Sequence, residues 1–111
     1  MFLNARTDAF LIGLPSPLQE SIKRTKAYEA AGATGIFVPA ITDKNDIREV
    51  VRTTLLPVNV LIKPQLPTFK ELADLGVKRI SMGGALHLSL IGSLEKMIRT
   101  IQEDQSFKSI Y

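Results

Sequence analysis

The feature that most constrains the fold of this sequence is a pattern that occurs four times: a short apolar run, a polar turn, and a longer segment with helical spacing. Strict alternation of strands and helices with short connections predicts a parallel sheet with right-handed crossovers. The predicted strands are Phe2 to Thr7, Gly35 to Val38, Val58 to Ile62 and Val77 to Met82. Four units in 111 residues give roughly 28 residues each, whereas a complete eightfold barrel needs about 250 residues. The sequence therefore predicts an α/β fold, a parallel (βα)4 half of a TIM-type (β/α)8 barrel.

Start and stop signals place the helices between these strands. Ser16 to Gln19 predicts an N-cap, a proline at the first helical position and a capping-box glutamine, with the helix ending near Ala31. Thr42 and Asp43 are candidate caps of the second helix. Thr68 to Glu71 is a capping box for the third. The third helix carries the apolar residues Phe69, Leu72, Ala73 and Leu75.

The last helix has the clearest pattern, because its apolar residues recur at intervals of three and four. These residues are Leu90, Ile91, Leu94, Met97, Ile98 and Ile101. The pattern predicts a helix that ends near Gln102. No linker or low-complexity tract interrupts the chain, so residues 1–111 are predicted to form a single half-barrel segment without an internal boundary.

Composition excludes several classes of function. The chain has no Cys, which excludes disulfides, thiolate metal sites and a cysteine nucleophile within it. No apolar run reaches the roughly 18 residues of a spanning helix. Arg6 and Asp8 interrupt the stretch that a signal peptide would need, so we expect a cytoplasmic protein. The net charge of +3 is dispersed among acidic residues, which predicts neither a nucleic-acid nor a membrane partner.

Several separate motifs together resemble the isocitrate lyase/phosphoenolpyruvate mutase (phosphonomutase) superfamily. They occur in the order and at the spacing that this superfamily shows, from Phe2 to the last helix. The motifs are Asn4-Ala5-Arg6-Thr7-Asp8-Ala9-Phe10, Arg24 to Ala33, Gly35-Ile36-Phe37-Val38-Pro39, Pro57-Val58-Asn59-Val60-Leu61, and Leu75 to Gly83. The resemblance covers the C-terminal half of the family barrel, its fifth to eighth βα units.

The resemblance implies a class of chemistry. Members of this superfamily are Mg²⁺-dependent lyases and mutases (isomerases) that make or break C–C or P–C bonds beside the carboxylate of small 2-oxo or dicarboxylic acids. The family's metal-binding acids lie on earlier strands, and the catalytic Cys of its lyases lies on an earlier loop. The resemblance thus implies Mg²⁺ as a cofactor but places none of its ligands in this chain. It also leaves the catalytic residues of this chain unknown.

Arg6 is the strongest candidate for binding substrate. A guanidinium near the C-terminal end of a parallel strand faces the side where barrel active sites form, and its fork suits a carboxylate. The resemblance assigns the matching arginine of the family to a substrate carboxylate. The alternative is a structural ion pair with Asp8 or with an acid of another strand, and Asp8 is expected to orient Arg6 or to cap the following turn rather than to catalyse.

Asn59 is the second candidate for binding substrate. A polar residue is disfavoured within a buried strand unless it points into a site. Family lyases place a substrate-binding asparagine on this strand, although two residues later relative to the proline. Ser81 ends the last strand before a glycine turn, which is only a weak signal for anion binding. His87, the sole histidine, is expected at the surface, and no metal site is predicted within the chain.

Two functions remain open from the sequence. The first is a partial or truncated member of the superfamily, with Arg6 as a substrate-carboxylate clamp and with a small carboxylate as its substrate. The second is a non-catalytic half-barrel that only assembles with a partner or binds anions. Four strands leave two open edges and an inner face, which is predicted to carry Leu3, Phe37 or its neighbours, and Val58 or Val60. These surfaces predict a homo-oligomer or a complementing N-terminal half as the partner.

Overall fold

Four strands alternate with four helices along the chain, as the repeated pattern predicts. A computed structural model describes all residues from Met1 to Tyr111. The elements in chain order are β1 (Asn4–Arg6), α1 (Pro17–Ala30), β2 (Gly35–Val38), α2 (Lys44–Thr53), β3 (Val58–Leu61), α3 (Phe69–Asp74), β4 (Arg79–Ser81), α4 (Ala85–Asp104) and a final 3₁₀ turn (Lys108–Ile110).

The chain forms two compact units, Met1–Ser81 and Met82–Tyr111. The first unit contains a four-stranded sheet in the order β1-β2-β3-β4, and every neighbouring pair is parallel. The α/β fold with parallel (βα) units is therefore confirmed. The strands are shorter than the sequence predicts at both edges of the sheet, because β1 and β4 each pair over only three residues.

The register of the sheet divides its side chains between two faces. One row across the strands is Ala5, Ile36 and Val58, and the neighbouring row is Arg6, Phe37, Asn59 and Arg79. Because successive residues of a strand point to opposite faces, these two rows lie on opposite sides of the sheet.

The hydrophobic core lies on the side of the first row, between the sheet and the helices. Its buried members are Ile36, Val38, Ile41, Ile47, Val50, Val58, Val60, Leu72 and Val77, and Leu18 and Ile22 of α1 pack against them. The prediction that Val58 or Val60 lines the inner face is therefore wrong, since both are buried on the helix side. By the same alternation Leu3, two residues before Ala5, belongs to the helix side. Phe37 does lie on the inner face.

Helix caps explain where α2 and α3 begin. The Asp43 carboxylate accepts hydrogen bonds from the backbone N–H groups of Asn45 and Asp46. Thr68 and Glu71 form the predicted reciprocal capping box. The prediction for α1 is wrong in one respect, because the Ser16 side chain makes no capping hydrogen bond. Its backbone, at φ −134° and ψ 67°, departs from the extended conformation that both working caps adopt.

Phe69 is the first residue of α3, and 75% of its surface is exposed. The helix has only six residues, and Leu72, one turn after Phe69, is its one buried residue. In a helix this short, only one side chain, that of Leu72, is buried in the core. Phe69 therefore begins the helix outside the core.

The second unit consists of α4 and the 3₁₀ turn. The helix ends at Asp104, two residues beyond the prediction, where Gln105 adopts a left-handed conformation with φ 48°. None of the residues of α4 is buried, although its apolar stripe is present as predicted. No helix of the protein is long and apolar enough to cross a membrane.

Candidate functional site

The candidate site lies in the first unit, on the sheet face that α1, α2 and α3 leave uncovered. Alternation along each strand places five polar side chains there, namely Asn4, Arg6, Asn59, Arg79 and Ser81. Two of these are guanidinium groups, and none is an acid. This face, called the inner face below, therefore has the composition of an anion-binding surface.

Arg6 ends β1 and is held from two directions. Its Nε donates a hydrogen bond to Oδ1 of Asp8 at 2.5 Å, and its guanidinium carbon lies 5.6 Å from the centre of the Phe37 ring. Phe37 is the residue of β2 in register with Arg6, so the ring lies directly beside the arginine stem. Both contacts reduce the freedom of a long side chain, which prepares the guanidinium for a ligand.

The terminal nitrogens of Arg6 remain available to a ligand. Asp8 uses only Nε, and no protein group accepts a hydrogen bond from Nη1 or Nη2. The Arg6 side chain is 50% exposed and that of Asp8 is 40% exposed, so the guanidinium is accessible from solvent. The ion pair with Asp8, one of the two alternatives from the sequence, is therefore formed. The terminal nitrogens of Arg6 remain donors that suit a carboxylate, and substrate binding by Arg6 stays a prediction.

Asn59 is buried, with 3% of its surface exposed, and its carboxamide is engaged with Ser81. Asn59 Nδ2 donates to Ser81 Oγ at 2.9 Å, and the same hydroxyl donates back to Asn59 Oδ1 at 3.2 Å. A carboxamide has two N–H donors, so one of them stays uncommitted. Within the protein Asn59 is thus a partner of Ser81, and its contact with substrate stays a prediction.

Phe2 and Arg79 bridge the inner face near the N-terminal ends of the strands. The Arg79 guanidinium carbon stacks 4.6 Å from the centre of the Phe2 ring. The ring lies against Gly35 of β2, where an added Cβ would come within 2.6 Å of it. The absence of a side chain at Gly35 therefore admits Phe2 onto this face, and the stacked pair covers that end of it.

The protein contains no group of three His, Asp or Glu side chains that could together hold a metal ion. The acid nearest to Arg6 is Asp8, which is already ion-paired with it. His87 lies on α4 and is exposed.

Two members of the site escaped the sequence analysis in their actual roles. Phe37 was placed on the inner face, but its contact with the guanidinium depends on the β1–β2 register, which nothing local specifies. Arg79 lies within the motif from Leu75 to Gly83, but no role is predicted for it from the sequence. Arg79 lies two residues before Ser81 on β4. Residues two apart on a strand share a face, so this spacing predicts that Arg79 lies on the inner face with Ser81.

Comparisons with known proteins identify the family of the chain. Residues 1–102 match the family model of phosphoenolpyruvate phosphomutase. The chain is 37% identical over 86 residues to oxaloacetate decarboxylase 1 of Pseudomonas fluorescens, covering 76% of this chain and 28% of that protein. It is 39% identical over 83 residues to an uncharacterized protein of Mycobacterium tuberculosis, covering 75% of this chain and 32% of that protein.

Solved structures give the same result. A Burkholderia cenocepacia protein provisionally assigned as a lyase/mutase superposes with a TM-score of 0.88 and 38% identity, over 97% of this chain and 39% of that one. A phosphoenolpyruvate phosphomutase of Streptomyces platensis shares the fold with a TM-score of 0.80 at 23% identity. The chain thus spans about two fifths or less of the length of these relatives. On its sequence and its fold, it belongs to the phosphoenolpyruvate mutase family within the isocitrate lyase superfamily.

Proposed function

We propose that this chain supplies the carboxylate-binding part of a lyase or mutase site, and that Arg6 clamps the carboxylate of a small 2-oxo or dicarboxylic acid. The observation that carries the proposal is that the Arg6 guanidinium is restrained by protein contacts but not fully paired. Its guanidinium is fixed by Asp8 and Phe37, while both terminal nitrogens are free of protein partners. A fixed fork with two free terminal nitrogens fits the two oxygens of a carboxylate.

Similarity to named proteins supports the substrate class. Relatives that are 29 to 37% identical include oxaloacetate decarboxylases of Pseudomonas species, whose name specifies a small 2-oxo dicarboxylic acid. Breaking a bond beside a carboxylate builds negative charge, and a cation at the carboxylate restrains the substrate while that charge forms. Arg6 binds and orients the substrate in this proposal, but it does not transfer a proton, because a guanidinium stays charged.

Bond cleavage needs groups that this chain does not supply. No three of its acids and imidazoles come together, so in this proposal the ligands of the Mg²⁺ ion lie outside these residues. Asn59 would offer its remaining N–H to the same ligand, from two strands away on the same face. A location in the cytoplasm is part of the proposal.

A thermal melt with oxalate tests the carboxylate site. Oxalate is a small dianion without a reactive bond, so it reports binding and not turnover. Ligand at about 100 times its Kd stabilises a protein by about 2.7 kcal/mol. Each kcal/mol corresponds to roughly 4 to 8 °C in the melting temperature of a domain of this size. We expect oxalate to raise the melting temperature of the wild type and not that of Arg6→Gln.

Arg24→Gln is the matched control. Arg24 also donates through Nε to a carboxylate, that of Glu20 at 2.6 Å, but it lies on α1 away from the inner face. The control should keep the full response to oxalate. Equal responses of the wild type and Arg6→Gln would refute the proposed role of Arg6.

A further inference from the structure

Lys63 follows β3 on the same side of the sheet as Asn59. The ladder between β3 and β4 continues one residue beyond β3, because the Ile62 N–H donates to the Ser81 carbonyl at 2.8 Å. The alternation of side chains between the two faces therefore continues to the end of this segment. Asn59 and Lys63 are four residues apart, so both belong to the inner face, with Lys63 at the C-terminal end of the strand.

The backbone of Lys63 is held from both directions. Pro64 disfavours a helical conformation at the residue before it, so Lys63 stays extended. The Lys63 carbonyl accepts a hydrogen bond from the Leu66 N–H at 3.0 Å, which closes a turn, and Leu66 packs against the hydrophobic core. The Lys63 side chain itself is exposed. The chain thus fixes where the lysine begins and leaves its ammonium group accessible.

The positive charge of Lys63 is not balanced within the protein. Lys44 and Lys70 form ion pairs with acids of α3, but Lys63 forms none. Asp8 is the acid that lies toward the same end of the inner face, and it is already paired with Arg6. An ammonium with three donors and no acid beside it attracts an anion.

The spacing of Lys63 and Arg6 allows both to contact one small molecule. Arg6 and Asn59 lie in one row across the sheet, two strands apart, and Lys63 is four residues beyond Asn59. At about 3.3 Å per residue and about 4.8 Å per strand, the Cα atoms of Arg6 and Lys63 are about 16 Å apart. Each side chain extends roughly 6 Å from its Cα atom, so a molecule of a few carbon atoms fills the space between the charged groups.

We propose that Lys63 binds the second acidic group of a dicarboxylic acid whose first carboxylate is held by Arg6. The fork of Arg6 engages both oxygens of the first carboxylate, so the ammonium of Lys63 meets the opposite end of the ligand. A point charge on a flexible stem suits that end, because it tolerates small differences in ligand length. Lys63 is thereby a specificity-determining residue that favours dicarboxylic over monocarboxylic acids. This inference rests on the proposed function, since it needs a carboxylate at Arg6.

Succinate and propionate test the preference, because succinate is propionate with one added carboxylate. We expect calorimetric titration of the wild type to show tighter binding of succinate. Lys63→Gln should weaken succinate binding about tenfold, as expected for the loss of one charge-assisted hydrogen bond, and leave propionate binding unchanged. Lys63→Arg should retain the preference for succinate. These substitutions leave the fold intact, because the side chain is exposed and unpaired.

Lys26→Gln is the matched control. Lys26 is also exposed and removes the same charge when substituted, but it lies on α1, on the helix side of the sheet. This variant should keep the preference for succinate. An equal loss of succinate binding in both variants would show a general effect of net charge and would overturn the inference. Equal succinate affinities of the wild type and Lys63→Gln would overturn it as well.

NMR of lysines that carry ¹³C-methyl groups, introduced by reductive methylation, tests the contact directly. The Lys63 signal should shift with succinate to saturation and stay in place with propionate, while the Lys26 signal responds to neither. Oxalate distinguishes the two proposals. A wild type that binds no oxalate, or an Arg6→Gln variant that binds it equally well, would refute the proposed function. Oxalate binding that needs Arg6, together with a Lys63 signal that ignores succinate, would refute the role of Lys63 alone.

Discussion

The Asn59–Ser81 pair allows a quantitative test of what holds the inner face together. Asn59→Ala removes two hydrogen bonds, 2.9 and 3.2 Å long, each contributing about 1 kcal/mol to stability. It also leaves a small void at a residue that is 3% exposed. We expect the free energy of unfolding to fall by about 2 to 3 kcal/mol, a large part of the roughly 5 to 15 kcal/mol typical of domains.

Ser81→Ala removes the hydroxyl that takes part in both of these hydrogen bonds. It leaves a buried carboxamide without its partner, and such a loss costs about 1 to 3 kcal/mol. Because both substitutions break one interaction, the double variant should cost less than the sum of the single variants. The expected coupling is about 1 to 2 kcal/mol, within the range for residues in direct contact.

Urea unfolding followed by circular dichroism measures these three variants against the wild type. Protein concentration is kept the same throughout, so that the variants and the wild type are compared under one condition. A loss below about 0.5 kcal/mol for Asn59→Ala, with no coupling to Ser81→Ala, would refute this reasoning. It would mean that the Asn59 carboxamide is not committed within the protein.

Two other predictions concern residues away from the inner face. Gly76 adopts φ +92°, and an added Cβ would lie 2.9 Å from the Val51 side chain, so Gly76→Ala should lower stability by about 1 to 3 kcal/mol in urea unfolding. A neutral result would contradict the strain argument. The pKa of the Glu71 carboxyl is lowered from 4.5 to about 2, and the largest cause is its hydrogen bond with the Lys44 side chain. The stabilisation from this charged form is complete above pH 4.5 and is lost as pH falls toward about 2. Glu71→Gln should therefore flatten the fall in melting temperature across this window, whereas Glu49→Gln, at an exposed pair with Arg52, should leave the slope unchanged. Equal slopes for the wild type and Glu71→Gln would be inconsistent with this account.

Local chemistry made most of the elements predictable. Asp43 and the Thr68–Glu71 box cap helices as the sequence indicates, because a cap depends on residues within one turn. The error over Val58 and Val60 was avoidable. If Asn59 points to the inner face, the alternation of a strand must turn both valines to the helices.

The contacts within the site depend on register, and local sequence does not specify register. Asn59 meets Ser81, 22 residues later, because β3 and β4 pair at one particular offset. Phe2 reaches Arg79 across the whole sheet, by way of the space above Gly35. A shift of one residue in any strand would separate these partners. The identity of candidate residues could therefore be predicted, but their pairing could not.

The most direct test of the central claim, a carboxylate site at Arg6, is an oxalate titration followed by NMR of the arginine side-chain N–H signals. We predict a saturable shift of the Arg6 signals, since its terminal nitrogens are free while Asp8 and Phe37 hold the group in place. Arg24 is similarly paired with Glu20 on α1. Its signals should shift no more with oxalate than with a non-binding salt at the same ionic strength. An Arg6 response that does not saturate, or that equals the response of Arg24, would contradict the account.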